Sequence, residues 1–296
     1  MQIVNQSVLT FSADNPPFAK AASGEVLKFV TMDCFSGQLT SADQLVHHLD
    51  LSTANPAAGP VYIEGALPGD LLAVDILDIA VADRGFACAI TNKGPIADLT
   101  EARTKIIPIE DGYARFNDLC WPIRPMVGVI GTAPAEGSIA CGFCGDHGGN
   151  MDNRLIQKGV RVYLPVRVEG ALLQLGDLHA SMGDGEVSGT GIEIAGEVLA
   201  RVQLIKDCPI HWPVLETADR WYVNTVAPDY DGAIFAACRE LARLMEPAYG
   251  WDATDILIYF SLQGGAEINQ SARPNKMLTF RYGVPKLPGK RLLPEA

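Results

Sequence analysis

The sequence predicts a mainly β protein, sandwich- or barrel-like, with an α+β C-terminal part. Three observations predict it. Apolar residues alternate with period two through the first two-thirds, Gly and Pro punctuate those runs, and a helical stripe appears only after residue 230. LLAVDILDIAV (71–81) follows the turn LPGD and reads as a strand. In GVRVYLPVRV (159–168), Val160, Val162, Leu164, Val166 and Val168 share one face, with Arg161, Tyr163 and Arg167 on the other, so a half-buried strand is expected. Pro165 lacks an N–H and suits an edge or a bulge. GIEIAGEVLARVQLI (191–205) alternates similarly, and Gly196 marks a bulge or bend. WYVNTV (221–226) is a further strand. In DGAIFAACRELARLMEP (231–247), Ile234, Cys238, Leu241 and Met245 line one stripe of an amphipathic helix. A second helix starts at Asp252, whose side chain caps it. A boundary near Cys208–Pro213 divides the chain into a β-rich part, 1–208, and a smaller α+β part, 209–296.

Composition narrows the function classes. With 296 residues, 48% of them hydrophobic, the chain can bury a large core. The net charge of −12 argues against a nucleic-acid backbone or an anionic membrane as partner, because both demand clustered Lys and Arg. MQIVNQSVLTFSADNPPF has neither a basic start nor a continuous apolar run, and no stretch reaches the ~18 apolar residues of a membrane span. The expectation is a cytoplasmic protein. Seven scattered cysteines read as reduced thiols. Cys141 and Cys144 form one CxxC, which without a second pair reads as small residues packed near a turn. No phosphate loop, dinucleotide fingerprint or GxSxG elbow is present.

The chemistry concentrates between Gly145 and Glu193. GDHGGNMD (145–152) and GDLHASMGDGE (176–186) interrupt apolar sequence and hold two of the five histidines, His147 and His179, beside aspartates. Carboxylate and imidazole among glycines form the donor set of a divalent ion that activates water; the plain alternative is two Gly/Asp turns. Asp177 and His179, two apart, share a face of an extended chain. Asp146 and His147 point apart in a regular strand, but Gly148 and Gly149 allow either to turn inward. Asn150 offers a neutral donor for an amide or an oxyanion. Asp184, Glu186 and Glu193 add carboxylates; Glu193, between Ile192 and Ile194, is the one suited to burial and to general-base work, and an outward position on its strand fits the periodicity equally. Upstream, Asp33 in FVTMDCFSGQL (29–39) and Glu64 in GPVYIEGALPGD (59–70) sit among apolar residues, where a lone charge is costly. His47, His48 and His211 read as surface or core residues.

These segments, with GVIGTAPAEG (128–137), VYLPV (162–166), SGTGIE (188–193) and DILIYFSLQG (255–264), give the chain a resemblance to the acetamidase/formamidase family along most of its length. CGFC (141–144) and PNKMLTF (274–280) depart from the family's pattern. The resemblance implies a hydrolase of carbon–nitrogen bonds in linear amides, releasing ammonia and a carboxylate, and commonly a homodimer. It carries over Asp33, Glu64, Asp146, His147, Asp177, His179 and Glu193 as site candidates. We divide these, together with Asn150, into metal ligands (Asp33, Asp146, His147, Asp177, His179) and catalytic groups (Glu193, Glu64 and Asn150). Zinc is the first choice of ion, with calcium, magnesium or manganese as alternatives for a carboxylate-rich set. The partner is then a small-molecule amide. Two rivals are a metal-independent amidase or lactamase using Cys144 or a carboxylate dyad, and a non-catalytic metal- or small-molecule-binding β protein.

Overall fold

The structure, a computed structural model, describes residues 1–295. It is built on two large sheets. The first has nine strands, in the spatial order Gln2–Val4, Val26–Thr31, Gly196–Ile205, Leu71–Val81, Arg161–Pro165, Val214–Glu216, Arg220–Ala227, Leu278–Pro285 and Gly265–Gln270. The second has twelve and is centred on Leu173–His179, which pairs with Met126–Gly131, Ala57–Ile63 and Glu193–Ile194. Helices α1 (Tyr230–Tyr249) and α2 (Ala253–Gln263) cover the C-terminal half of the nine-stranded sheet.

The apolar runs are explained by burial on both faces. Leu72, Val74, Ile76, Val162 and Leu164 enter the core between the sheets. Their alternate neighbours Leu71, Ala73 and Tyr163 enter a second core beneath α1 and α2. Each fully buried Leu, Ile or Val contributes about 1.5–3 kcal/mol, so these central strands gain from both sides. This corrects the half-buried assignment of 159–168. Tyr163 is fully buried, its hydroxyl donating to Glu216 at 2.7 Å. Pro165 is not at a sheet edge either. It is the last residue of an interior strand, opposite Leu71, beyond the point where pairing with Val214–Glu216 ends.

The second helix starts at its expected cap, Asp252 accepting the N–H groups of Thr254 and Asp255 at 2.9 Å, and the first is capped by Asp229, which accepts the Gly232 N–H at 2.8 Å. The buried face of α1 is Ala233, Ala237, Leu241, Leu244 and Met245, with Ile234 and Cys238 only half-buried. The expected stripe is therefore rotated, because small alanines let the helix lie close to the sheet. Gly196 does mark a bend, and it is where the chain passes from one sheet to the other. The Glu193–Ile194 strand ends in the second sheet and Gly196–Ile205 begins in the first, and a Cβ at Gly196 would collide with the Ala80 carbonyl. The division at residue 208 falls inside a continuous sheet, since Val214–Glu216 pairs with Arg161–Tyr163 and the second core draws on both parts. Among the described residues no helix is long and apolar enough to cross a membrane.

Candidate active site

The Leu173–His179 strand and its neighbours bring together a set of buried titratable side chains. His179 lies directly opposite Glu193 in the antiparallel pair, and its Nε2 is 3.0 Å from Glu193 Oε2 and 3.6 Å from Asp177 Oδ1. Asp177, Glu193 and Cys34 place one donor atom each within 4.8 Å of one another, as do Asp152, His179 and Glu186. All six are buried. Glu193 is thus an inward residue, which the periodicity alone leaves undecided.

The backbone is bent to achieve this. Asp152, Asp177 and Glu186 have φ of 42°, 54° and 38°, and Asn55, which donates to Asp177 Oδ2 at 2.9 Å, has φ 53°. A left-handed backbone costs a non-glycine residue about 1–2 kcal/mol, and such outliers concentrate where function demands a fixed geometry. Asp177 is therefore not in the regular extended conformation that the spacing suggests, although its side chain does reach His179. Gly128 makes room: a Cβ there would lie 2.7 Å from Asp152 Oδ1 and 2.9 Å from Asp177 Oδ2.

A second layer fixes the carboxylates. Gln270 Nε2 donates to Asp152 Oδ2 and, at 2.8 Å, to Glu186 Oε2, reaching in from the last strand of the nine-stranded sheet. The Gly191 N–H donates to Glu193 Oε1 at 2.8 Å. The loop carrying Glu186 is tied to the same strand through Gly185 N–H to Asn269 O, and to the adjacent Leu278–Pro285 strand through the buried Arg281, which pairs with Asp184 at 2.8 Å. Asn150, also buried, donates weakly to Gly142 O at 3.5 Å and leaves its Oδ1 unpaired.

Electrostatically the cluster is short of positive charge. Burial pushes Glu186 up to about 8, and burial with the neighbouring Glu186 and Asp177 holds Asp152 well above the usual carboxylate range. Burial also raises Glu193, and raises the Cys34 thiol well above 9.0. Burial alone would lower His179, but Glu193 and Asp177 outweigh it and raise it well above 6.5. Asp152 Oδ1, Asp177 Oδ1, Glu193 Oε2 and His179 Nδ1 are buried without a hydrogen-bond partner; the 3.0 Å approach of His179 to Glu193 is off-line for one. Orphaned groups of this kind cost about 1–3 kcal/mol each, more when charged. One imidazole cannot offset Asp152, Asp177, Glu186 and Glu193, whereas a divalent cation among them would offset two charges and give the orphaned oxygens a partner. The residues present fit such an ion.

A cavity of about 400 Å³ opens onto this cluster, lined by Cys34, Asn55, Asn150, Asp152, Asp177, Glu186, Glu193 and Gln270 among others. Of the sequence candidates, Asp177, Glu193 and Asn150 line the cavity, and His179 joins them from behind Asp177 and Glu193. The other four do not. Asp33 is half-buried and caps a turn, accepting the N–H groups of Phe35 (2.9 Å) and Gly37 (3.1 Å), so it positions Cys34 rather than facing the cluster. Glu64 is exposed at the end of its strand. Asp146 is exposed and pairs with Arg167 at 2.9 Å. His147 is fully buried, but its ring packs on Phe11 at 4.8 Å with both nitrogens unpaired, and burial with the nearby Arg167 lowers it to about 4. Burial also pushes the Cys144 thiol far up, which removes it as a ready nucleophile. Asp152, Glu186, Cys34, Asn55 and Gln270 complete the set. The first two stand in the polar clusters themselves, and Cys34 is the neighbour of Asp33. Nothing local in the sequence points to Asn55 or Gln270.

The sequence profile of the Acetamidase/Formamidase family matches residues 6–140 and 143–258. The chain is 29% identical over 255 residues to the formamidase of Methylophilus methylotrophus, covering 66% of this chain and 63% of that protein. It is 28% identical over 262 residues to the acetamidase of Mycolicibacterium smegmatis, covering 65% and 64%. The chain thus spans somewhat less than two-thirds of the length of these curated relatives. Solved structures match further along. A recombinant predicted acetamidase/formamidase from the thermophile Thermoanaerobacter tengcongensis superposes with a TM-score of 0.92 at 42% identity, over 96% of this chain and 95% of that one. An acetamidase from Bacillus halodurans does so with a TM-score of 0.92 at 36% identity, over 96% and 97%. A gamma lactamase from Delftia acidovorans shares the fold, with a TM-score of 0.68 at 21% identity. The chain belongs to the acetamidase/formamidase family.

Proposed function

We propose that the protein is a metal-dependent amidohydrolase that cleaves a linear carboxamide to a carboxylate and ammonia. The observation that carries this reading is the buried group of four carboxylates and one histidine, with orphaned oxygens, at the floor of a cavity. The ion would be held by Asp177 and His179 with Asp152 or Glu186; when bound, it supplies Lewis acidity and a water acidified from 15.7 to about 7. Zinc is the ion proposed, and the carboxylate-rich set equally accepts calcium, magnesium or manganese.

The side chains divide the remaining work. Glu193, held through one oxygen by the Gly191 N–H with the other unpaired, takes the proton from the attacking water and hands it to the departing amine. Asn150 donates from Nδ2 to the substrate carbonyl oxygen as charge builds on it, a contact that typically contributes roughly 3–4 kcal/mol at the transition state. Asn55 and Gln270 hold Asp177, Asp152 and Glu186 in place. The relatives named as formamidase and acetamidase support the reaction class. We further propose a homodimer or higher homo-oligomer in the cytoplasm; light scattering tests the assembly.

The deciding experiment follows ammonia release from a panel of amides before and after chelation, with elemental analysis of the purified protein. Loss of activity on chelation and its return with metal support the reading. Full activity in demetallated protein would favour direct acid–base chemistry by the carboxylates, and a metal-loaded protein inert on every amide would favour a binding protein.

A further inference from the structure

The cavity is larger and more apolar than a one- or two-carbon amide requires. At about 400 Å³ it falls in the ~300–1,000 Å³ range of pockets that enclose ligands far larger than acetamide, which has four heavy atoms. Apart from the exposed Ser52 and Lys93, its polar side chains belong to the floor already described. Between that floor and solvent the walls are Leu9, Phe35, Val46, Leu51, Ile90 and Phe143. They grade outward from buried Phe35 and Val46 to Phe143 and Leu51, which are 36% and 54% exposed. An acetamide bound at the floor would leave these apolar walls facing water. Lys93 is the one basic residue lining the cavity among the described residues, and it is exposed. With four buried carboxylates below, the site offers no built pocket for an anionic substrate.

Resting on the amidohydrolase reading, we propose that the substrate class is neutral primary amides carrying an unbranched or aromatic apolar tail of about five to eight carbons. The amide group lies at the Asp177–His179–Glu193 floor and the tail along Phe35, Val46 and Phe143. Hydrolysis breaks the C–N bond of the amide; water supplies the new C–O bond, and the nitrogen leaves as ammonia.

The test measures kcat/KM of the metal-loaded enzyme on formamide, acetamide, butyramide, hexanamide, benzamide and phenylacetamide. Each methylene laid on the walls should raise kcat/KM about fourfold, so hexanamide should exceed acetamide on the order of a hundredfold. Phe143→Ala should cut the hexanamide-to-acetamide ratio by about tenfold. Leu51→Ser, at an exposed position, gives the same readout on a smaller scale if the first variant folds poorly. A ratio that is flat or falls from acetamide to hexanamide overturns the proposal while leaving amide hydrolysis standing. Absence of ammonia from every amide removes the underlying reading, and the proposal with it.

Discussion

The two Gly/Asp/His segments of this chain look alike and end up doing different things. From 176–193, Asp177, His179, Glu186 and Glu193 all face the cluster, whereas from 145–152 only Asn150 and Asp152 reach it. The histidines show why. His179 is in register with Glu193, and the surrounding carboxylates favour its charged form. His147 lies against Phe11 with Arg167 as its charged neighbour, so both its burial and that neighbour favour the neutral form. Composition therefore nominates both residues, and only the partners brought by distant strands separate them.

The largest expected effect comes from His179→Ala, which should lower kcat/KM by about a thousandfold or more, several kcal/mol of transition-state stabilisation, and reduce bound metal, with circular dichroism unchanged. His147→Leu should leave kcat/KM within about threefold and Tm unchanged or raised, because an apolar side chain replaces two orphaned nitrogens. Equal losses from the two variants would erase the distinction between the segments.

Next in size is Glu193→Gln, expected to lower kcat by about 10²–10⁴-fold with KM little changed. A KM effect alone would make Glu193 a binding group. Gln270→Leu should cost about 10–100-fold in activity or metal affinity, since it frees Asp152 and Glu186 together; wild-type metal content and rate would show that those carboxylates hold themselves.

The His147 environment also makes a pH prediction. Its folded pKa of about 4 lies below the unfolded value of about 6.5, so below pH 6.5 the unfolded chain binds a proton that the folded one does not. The stability its neutral form contributes is complete above pH 6.5 and is lost as pH falls towards 4, by roughly 3 kcal/mol in all. Urea titrations should show His147→Leu with a shallower acid slope than the wild type over that interval; parallel slopes would place the acid sensitivity elsewhere. Smallest are Asp146→Asn and Glu64→Gln, each within about ±0.5 kcal/mol of stability and without effect on turnover.

Much of the fold is legible because it is local. The Leu71–Val81 strand, the Asp252 cap and the Gly196 bend follow from periodicity and turn chemistry. The interior placement of Pro165 and Tyr163 does not, since whether a second layer covers an alternating strand depends on helices found seventy residues later. In the site, Asp177, His179 and Glu193 stand out as polar residues in apolar strands. Asp152 and Glu186 hide among equivalent acidic neighbours whose direction is set by left-handed backbone. Asp33 draws attention as a charge among apolar residues and Asp146 as the neighbour of His147, but a turn cap and an arginine satisfy them. Asn55 and Gln270 are amides in unremarkable surroundings, and only the sheet order carries them to the cluster.

The place of Gln270 bears on how the protein comes into being. Its partners Asp152 and Glu186 lie 118 and 84 residues earlier in the chain, and contacts of that separation form late because their loop-closure entropy must be met first. During synthesis, four acidic side chains are made before the residue that braces two of them has emerged from the ribosome. A chain ending before residue 270 would lack the brace between Asp152 and Glu186, so the site is complete only once the final hairpin is in place.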